Sequence, residues 1–591
     1  MINININNKN ISVPDEYTIL KAASENGIHI PTLCHYHREE TGYVNCEATC
    51  RVCVVEVEGK NNLPPACGTV VYDGMKINTT SRRAVLARRA VLELLLSNHP
   101  TDCLVCEKNR DCELQSLAAE LNIKKIKYKG HRNLYEKDNS SYSIIRNPEK
   151  CIMCRRCETM CNQVQTVGVY STVHRGFDAV MGTAFDSKMI DTPCVFCGQC
   201  ISVCPTAALT ETDNTTDVWE AIADSDIFTV AQTAPAVRAA LGESFGMDYG
   251  TDVTGKMVSA LRQIGFDMVL DTNFAADLTV VEEAKEFLYR LENGKLPMLT
   301  SCCPAWVKFV EDQFPDLLHV PSTCKSPHEM FGAVAKTYMA EKLKIDPQKI
   351  RVISIMPCIA KKFEAKREEL SCKETKIPDV DYVLSTRELA RMIKESAINF
   401  CELPDENFDD LMGKSSGAGD IFGTSGGVME AVLRTINAWS GSAELDLSAL
   451  RGKSVTENPV TEGIIKADIK IGEKTIRAAV SSGLGNARKL LESIQNGTHD
   501  FEILEIMACP NGCIGGGGQP IHRNEAKILS KRAEALYQID KNKNLRMSHE
   551  NPQIIKLYKD FLGEPYGEFA EKLLHINYKN SEFGIRNSEF D

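Results

Sequence analysis

Residues 151–161 read CIMCRRCETMC and residues 194–204 read CVFCGQCISVC. Each is a C-x2-C-x2-C-x3-C run, and Pro205 follows the second. Thiolates are soft, anionic ligands, and spacers this short let one loop cover three corners of an iron–sulfur cubane. In paired runs the fourth Cys serves the other cluster. The expected ligand sets are therefore Cys151, Cys154, Cys157, Cys204 and Cys161, Cys194, Cys197, Cys200. A structural zinc site would use Cys-x-x-Cys hooks across a spacer, not triplets. The reading is a pair of clusters that pass electrons.

Working back toward the N-terminus, residues 1–80 alternate in strand fashion (Ile2, Ile4, Ile6; Val52, Val54, Val57) around turns such as Asp73-Gly74. A plant-type 2Fe–2S site needs one Cys, a close Cys-x2-Cys pair and a distant fourth. Cys50 and Cys53 make the pair, with Cys34 before and Cys67 after, and Cys46 is the alternative ligand. The stretch resembles the 2Fe–2S domain that opens the large iron–sulfur subunit of respiratory complex I and several hydrogenases. A helix is expected from Ser81 to Leu96, with Ala84, Leu86, Val91, Leu92, Leu94 and Leu95 as its apolar side. His99, Cys103, Cys106 and Cys112 then fall in H-x3-C-x2-C-x5-C order. A cubane needs four corners, so His99 is expected to bind iron beside three Cys. Exchanging one anionic thiolate for neutral imidazole should raise the cluster's potential. This motif too resembles complex I and the modular hydrogenases. The wire thus counts one 2Fe–2S cluster and three accessory 4Fe–4S clusters.

At 591 residues the chain is too long for one core, and about three to five domains are expected. A content of 43% hydrophobic and 25% charged residues is that of a soluble globular protein. Most of the 24 Cys sit in metal-ligand spacing, and the opening MINININNKN lacks a signal-peptide layout, so a reducing cytoplasm is expected. No apolar run of membrane-spanning length appears, so no membrane insertion is expected. The net charge of −12 argues against nucleic acid as a partner. Two basic stretches stand out: Arg82, Arg83, Arg88, Arg89, and Lys124, Lys125, Lys127, Lys129, Arg132. They read as solvated faces or, more sharply, as a docking patch for an acidic electron carrier such as ferredoxin.

From about Asp217, strands and helices alternate, with buried strands expected at Asp226–Val230, Asp267–Leu270 and Arg351–Ile355. No dinucleotide fingerprint or Walker A loop is present, so no nicotinamide, flavin or ATP site is expected on this chain. The glycines at 423–427 and 515–518 suit turns or close backbone approach. Three segments carry the remaining chemistry: TSCCPAW (Thr300–Trp306), MPCIAKK (Met356–Lys362) and MACPNGCIGGGGQP (Met507–Pro520). Their Cys303, Cys358, Cys509 and Cys513 are able to converge on a further cubane, which spacing alone leaves open.

These three segments, with the cluster modules before them, look like the iron-only hydrogenases of anaerobic bacteria. The resemblance covers roughly residues 1–575. It implies an H-cluster, a 4Fe–4S cubane joined through one Cys to a two-iron unit bearing carbon monoxide, cyanide and a dithiolate, built by maturation proteins. By position it implies Cys303, Cys358, Cys509 and Cys513 as cubane ligands, with Cys513 bridging, and Cys302 as proton donor. A thiol of near-neutral pKa is expected at Cys302, since such a thiol trades protons readily. Glu283, Glu286, Ser322 and Arg290 match the family's proton path, and Glu283, Glu286 and Arg290 lie at i, i+3 and i+7 on one helix face. Lys361 matches a lysine paired with a cyanide ligand. Met356 and Met507 match apolar groups packed on the two-iron unit. Pro235 and Ala236 match a loop that contacts cyanide, with Ala236 where some members have Ser. His328 stands where Gln is expected, which bears on catalytic bias or pH response, and Asn511 replaces a usual Gly. Cys46, Cys324, Cys372 and Cys401 are left over and read as buried or incidental.

The expected fold is multidomain, α+β and α/β. It comprises a 2Fe–2S ferredoxin-like domain (1–80), a one-His three-Cys cluster domain (81–140) and a two-cluster bacterial ferredoxin domain (141–215). A two-lobed α/β H-cluster domain (216–525), a small-subunit-like domain of two short helices (526–578) and a frayed tail (579–591) follow. The expected function is reversible reduction of protons to dihydrogen with electrons from reduced ferredoxin. A second reading keeps that chemistry but wires the chain to flavin- and NAD(P)-binding partner subunits, as a multimeric or electron-bifurcating enzyme. A reading of another class is a non-catalytic iron–sulfur sensor or scaffold.

Overall fold

Ile4 and Ile6 of strand β1 (Ile2–Ile6) turn inward opposite Ile11 and Val13 of β2 (Lys9–Val13), in an antiparallel register that pairs Ile4 with Ile11. The sheet continues through β4 (Lys76–Asn78) to β3 (Glu56–Val57), in the order β2-β1-β4-β3. Asp73-Gly74 turns the chain into β4, Gly74 at φ +73° and Asp73 Oδ1 accepting from Asn3 N at 2.8 Å. Val52 and Val54 are not in a strand. They belong to the loop that carries Cys50 and Cys53, where Val54 makes one isolated bridge to Pro65.

The computed structural model describes residues 1–38, 43–45, 48–372, 376–442, 445–451, 463–522 and 527–578. Cys46 and the tail 579–591 lie outside the described residues. The chain divides into two units: Met1–Gln163 with Gly168–Thr192 and Cys200–Thr210, and Val164–Val167 with Pro193–Gln199 and the chain from Glu211 onward.

In the first unit a helix runs from Arg82 to Ser97, capped by Ser81, whose hydroxyl accepts from Ala84 N at 3.2 Å. Its buried face is Ala84, Arg88, Leu92 and Glu93, while Leu86 and Leu94 are half exposed, so the expected apolar side is corrected. The 84/88/92 spacing faces one way, and a step of two residues turns the side chain to the opposite side. Arg88 is thus not part of a solvated face: its Nε donates to Val54 O at 2.9 Å. Lys124, Lys125, Lys127 and Lys129 are exposed in irregular backbone.

The second unit holds two sheets. In one, β6 (Met268–Asp271), β5 (Phe228–Thr233), β8 (Ile350–Met356) and β9 (Tyr382–Ser385) lie side by side, all parallel. Their near-continuous apolar runs suit strands covered on both faces. In the other, β7 (Met298–Leu299), β12 (Ile503–Met507), β11 (Lys474–Ser482) and β10 (Ile464–Ile471) are ordered β7-β12-β11-β10, with only β10 antiparallel. The helix Thr272–Glu292 is buried along most of its length and carries Asp277, Glu282, Glu283 and Glu286 inside. Asp277 accepts from Ser416 N (2.7 Å), Ser548 Oγ (2.8 Å) and Asn551 Nδ2 (2.9 Å), which anchors the C-terminal segment. That segment forms three α-helices, Ile528–Asn542, Pro552–Leu557 and Glu568–Leu574, not two. No helix among the described residues is long and apolar enough to cross a membrane.

Candidate active site

In parallel sheets, ligands gather where loops leave the carboxyl ends of the strands. The three chemistry-bearing segments all leave such ends: Thr300–Cys303 after β7, Met356–Cys358 at the end of β8, and Met507–Cys513 at the end of β12. Glycines let the loops touch. A Cβ on Gly516 would meet Pro357 O at 2.2 Å, and one on Gly512, at φ +89°, would meet Ser425 N at 2.7 Å. Gly518 N donates to Pro357 O at 2.8 Å and Ile514 N to Gly423 O at 3.0 Å. Asn511 adopts φ +56°, a left-handed position that Asn tolerates.

Cys303, the N-cap of the helix Pro304–Gln313, faces Cys358, Cys509 and Cys513 closely enough that its thiolate disfavours their ionisation. Burial, then Cys303, pushes Cys358 up to about 12; burial, then Cys358 and Cys303, also raises Cys509 and Cys513. Four converging sulfurs without a cation are an unfavourable arrangement that bound iron relieves by taking the thiolates as ligands. The donor set fits a cubane. The loop around Cys197 belongs to the same unit: a Cβ on Gly517 would meet Cys197 O at 2.3 Å, and Gln199 Nε2 donates to Gly515 O at 3.0 Å.

Cys302 departs from its expected pKa. Burial, then the charges of Glu283, Cys513, Cys303 and Glu505, raises its thiol well above the ordinary range. The protein around it therefore favours a protonated thiol over a thiolate. Glu283 accepts weakly from Ser301 N at 3.4 Å, and its Oε2 has no hydrogen bond among the described residues. Burial, then Glu286, lifts Glu283 to about 8, so it too holds a proton at neutral pH. Ser322 Oγ donates to Glu286 Oε2 at 2.7 Å, and Arg290 clamps Glu286 Oε1. Arg290 also donates to the carbonyls of His319, Val320 and Pro321, and it is the least buried of the four.

Lys361 Nζ donates to Glu364 Oε2 at 2.6 Å and to Cys302 O at 3.1 Å. His328 Nε2 reaches the same Glu364 oxygen at 2.7 Å. Met356 and Met507 are buried as the last residues of β8 and β12. Pro235 opens the short helix Pro235–Arg238, and Ala236 O accepts from Gln519 Nε2 at 2.9 Å. Sequence reasoning missed Glu364, Glu329 and Glu505. Only Glu364 left a signal, its i,i+3 spacing from Lys361. It also dismissed Cys324, which is buried 3.8 Å from both Glu286 Oε2 and His575 Nδ1.

In the first unit, Cys53 and Cys67 sulfurs lie 3.4 Å apart, and Cys34 N donates to Cys50 Sγ at 3.4 Å. Hydrogen bonding from Cys50 and then Cys67 holds Cys34 below the ordinary thiol range, so the four sulfurs form one group. His99 has a buried Nδ1 with no hydrogen bond among the described residues, and burial draws it down to about 4. A neutral imidazole with a free nitrogen is the ligating form. Cys106 Sγ accepts from Lys150 Nζ at 3.5 Å, and burial raises Cys112. Cys103 is half-buried. Cys151, Cys154, Cys157 and Cys204 line one cavity with Ile152, Pro205 and Leu209. Cys161 and Cys200 belong to the first unit, Cys194 and Cys197 to the second.

Known proteins resemble the chain throughout. The family described as "Iron only hydrogenase large subunit, C-terminal domain" matches residues 227–517, and "Iron hydrogenase small subunit" matches 526–581. A "2Fe-2S iron-sulfur cluster binding domain" matches 1–82, the "NADH-ubiquinone oxidoreductase-G iron-sulfur binding region" 88–127, and a "4Fe-4S dicluster domain" 150–208. The chain is 53% identical to NADP-reducing hydrogenase subunit HndD of Solidesulfovibrio fructosivorans, over 98% of this chain and 99% of that one. It is 37% identical to iron hydrogenase 1 of Clostridium pasteurianum, over 98% and 100% of the two. Among solved structures, a variant of apo FeFe-hydrogenase HydA1 from Chlamydomonas reinhardtii is similar, with TM-score 0.56 and 38% identity. That match covers 63% of this chain and all of the other.

Proposed function

The chain belongs to the iron-only hydrogenases, and from that premise we propose that it interconverts two protons and two electrons with dihydrogen. The observation that carries the reading is the meeting of Cys303, Cys358, Cys509 and Cys513 beside Cys302, whose burial and negatively charged neighbours favour the protonated thiol, and beside Glu283, Ser322, Glu286 and Arg290. When bound, an H-cluster supplies electrons and the iron at which hydrogen is handled. The chain's own residues handle protons. Cys302 Sγ holds one at the active centre, Glu283 exchanges it, and Ser322 hands it to Glu286 at the Arg290 end. Lys361 places an ammonium where an anionic cyanide ligand would lie, while Met356, Met507, Pro235 and Ala236 keep water out.

Electrons arrive over one 2Fe–2S cluster on Cys34, Cys50, Cys53 and Cys67, a 4Fe–4S cluster on His99, Cys103, Cys106 and Cys112, and two all-Cys cubanes. The modules follow the divisions 1–80, 81–140, 141–215, 216–525 and 526–578. Reduced ferredoxin is the carrier in the first reading, with the exposed Lys124, Lys125, Lys127 and Lys129 as its docking patch. The relative named as a subunit of an NADP-reducing hydrogenase favours the second, in which flavin- and NAD(P)-binding subunits deliver the electrons. The compartment is the cytoplasm, where maturation proteins assemble the centre.

The test is infrared spectroscopy of the full chain matured under anaerobic conditions, together with hydrogen evolution from reduced methyl viologen and reduced ferredoxin. Carbon monoxide and cyanide bands with turnover on both donors support the first reading. Bands with turnover on methyl viologen alone favour partner subunits. Bands without any turnover favour a sensor, and absence of bands rejects the centre.

A further inference from the structure

His328 stands on the helix Pro327–Val334 and is 1% exposed, a titratable ring closed inside the core. Its Nδ1 lies 3.2 Å from Ser354 Oγ on β8, and its Nε2 lies 2.7 Å from Glu364 Oε2 on the helix Ala360–Glu364. That oxygen also accepts from Lys361 Nζ at 2.6 Å, so one carboxylate oxygen carries both cationic donors. Glu329, fully buried, sits on the same side: its Oε1 is 3.0 Å from His328 Nε2, yet neither of its oxygens has a hydrogen bond among the described residues. Glu364 is the nearer acceptor and takes the N–H, while Glu329 faces it at ion-pair distance. Beyond Glu329 lies Asp379, paired with Lys325 at 2.6 Å.

These surroundings let the ring change charge without losing a bond. Ser354 Oγ accepts from Gln232 Nε2 at 2.8 Å, which leaves its own hydrogen free to point at a neutral Nδ1. In the cation, Nδ1–H donates to the same oxygen instead, and Nε2–H donates to Glu364 in both forms. Burial and Lys361 oppose the cation, whereas Glu329 and Glu364 favour it, and the carboxylates prevail, raising His328 above its ordinary value. Glu364 stays ionised, held down to about 2 against its burial by Lys361 and then His328.

We propose that His328 is a positioning residue for Lys361: through the shared Glu364 oxygen, the charge on its ring sets how much of the ammonium's charge faces the active centre. A cationic ring draws Glu364's negative charge toward itself and leaves Lys361 freer to polarise an anionic ligand. A neutral ring returns that charge to Lys361. Because the group is a histidine, the balance changes with pH in a range where a glutamine at this position would not respond. The proposal rests on the reading that Lys361 faces a cyanide ligand of iron.

The matured full-length chain tests it, with the cyanide stretches followed by infrared from roughly pH 5.5 to 9. In the unaltered protein one cyanide band should move along a one-proton curve. In His328→Gln the bands should persist and that movement should vanish. In Glu329→Gln, which removes a carboxylate favouring the cation, the midpoint should fall by about one pH unit or more. A band that does not respond to pH in the unaltered protein, or the same curve in His328→Gln, overturns the proposal. Should His328→Gln not take up the centre, Glu329→Gln decides alone, and an unmoved midpoint overturns it. If the unaltered chain shows no carbon monoxide or cyanide bands at all, the underlying assignment of the centre falls, and this proposal with it.

Discussion

Arg290 grips a single oxygen of Glu286 with two nitrogens, Nε at 2.9 Å and Nη2 at 2.6 Å, one helical turn apart. The other Glu286 oxygen accepts from Ser322 Oγ at 2.7 Å and from Thr323 N at 3.1 Å. The carboxylate is thus held at both oxygens, and its Oε2 lies at hydrogen-bond distance from the serine hydroxyl. A relay of this kind depends on the clamp for its geometry as much as for its charge.

Arg290→Ala should therefore lower turnover and stability together. Removing one partner of a buried pair leaves the other charge uncompensated, which costs about 3–5 kcal/mol. Arg290→Lys keeps the charge but not the fork, and should recover most of the stability and less of the turnover. Denaturant unfolding of the cofactor-free chain, set beside hydrogen evolution from methyl viologen, checks both. Equal recovery of both quantities in the lysine variant would show that the fork has no part in proton transfer.

Glu283 carries its own pH signature. Its folded value, about 8, lies above that of an exposed glutamate, so the native state binds the proton more tightly than the unfolded chain. Stability from this group is present at low pH and is lost as pH rises from the unfolded value toward 8, at roughly 1.4 kcal/mol for each pH unit crossed. Glu283→Gln should be isosteric and neutral at every pH. The variant should match the unaltered chain near pH 4 and be the more stable of the two above pH 8, while losing most turnover. Stability curves that run parallel from acid to alkaline pH would exclude a raised Glu283.

The cysteine runs were legible because metal ligation is local: Cys151, Cys154 and Cys157 declare a cluster by spacing alone. The parallel strands at 228–233, 268–271 and 350–356 were legible from their apolar runs. What failed were readings that depend on surroundings. Helical periodicity located Arg82–Ser97 but not its inner face, because Arg88 finds a carbonyl and Glu93 a lysine partner at 3.3 Å. Pro552, the first residue of the middle C-terminal helix, announced that helix and was overlooked. His328, Ser354 and Glu364 meet only through the fold, and no spacing in the chain foretells one shared carboxylate oxygen.

His99 offers a test of the accessory wire. Its buried Nδ1, without a hydrogen bond among the described residues, and its suppressed basicity suit a neutral ligand to iron. His99→Cys should keep a cluster at that site and make it harder to reduce, since an added thiolate charge stabilises the oxidised state. Redox titration followed by electron paramagnetic resonance reads both quantities. An unchanged inventory with unchanged potentials would remove His99 from the ligand set.

Cys302 and Cys303 are neighbours with separable duties. Cys303 caps a helix and faces Cys358 and Cys513, whereas Cys302 lies under the influence of Glu283 and lends its carbonyl to Lys361 at 3.1 Å. Burial and nearby negative charge keep the Cys302 thiol protonated, so it is a store of one proton that a favourable charge change at the centre can release. A serine hydroxyl is nearly isosteric but far less acidic. Cys302→Ser should show full iron content and intact carbon monoxide and cyanide bands, with turnover in both directions lower by roughly 10²–10⁴-fold. Cys302→Asp should retain more, because the same burial that raises Glu283 to about 8 would hold a carboxyl in its exchangeable range. Cys303→Ser should instead lose iron from the cubane, since a neutral hydroxyl is a poor substitute for a thiolate corner. If Cys302→Ser loses iron, or turns over at a near-normal rate, the division of labour between the two cysteines is wrong.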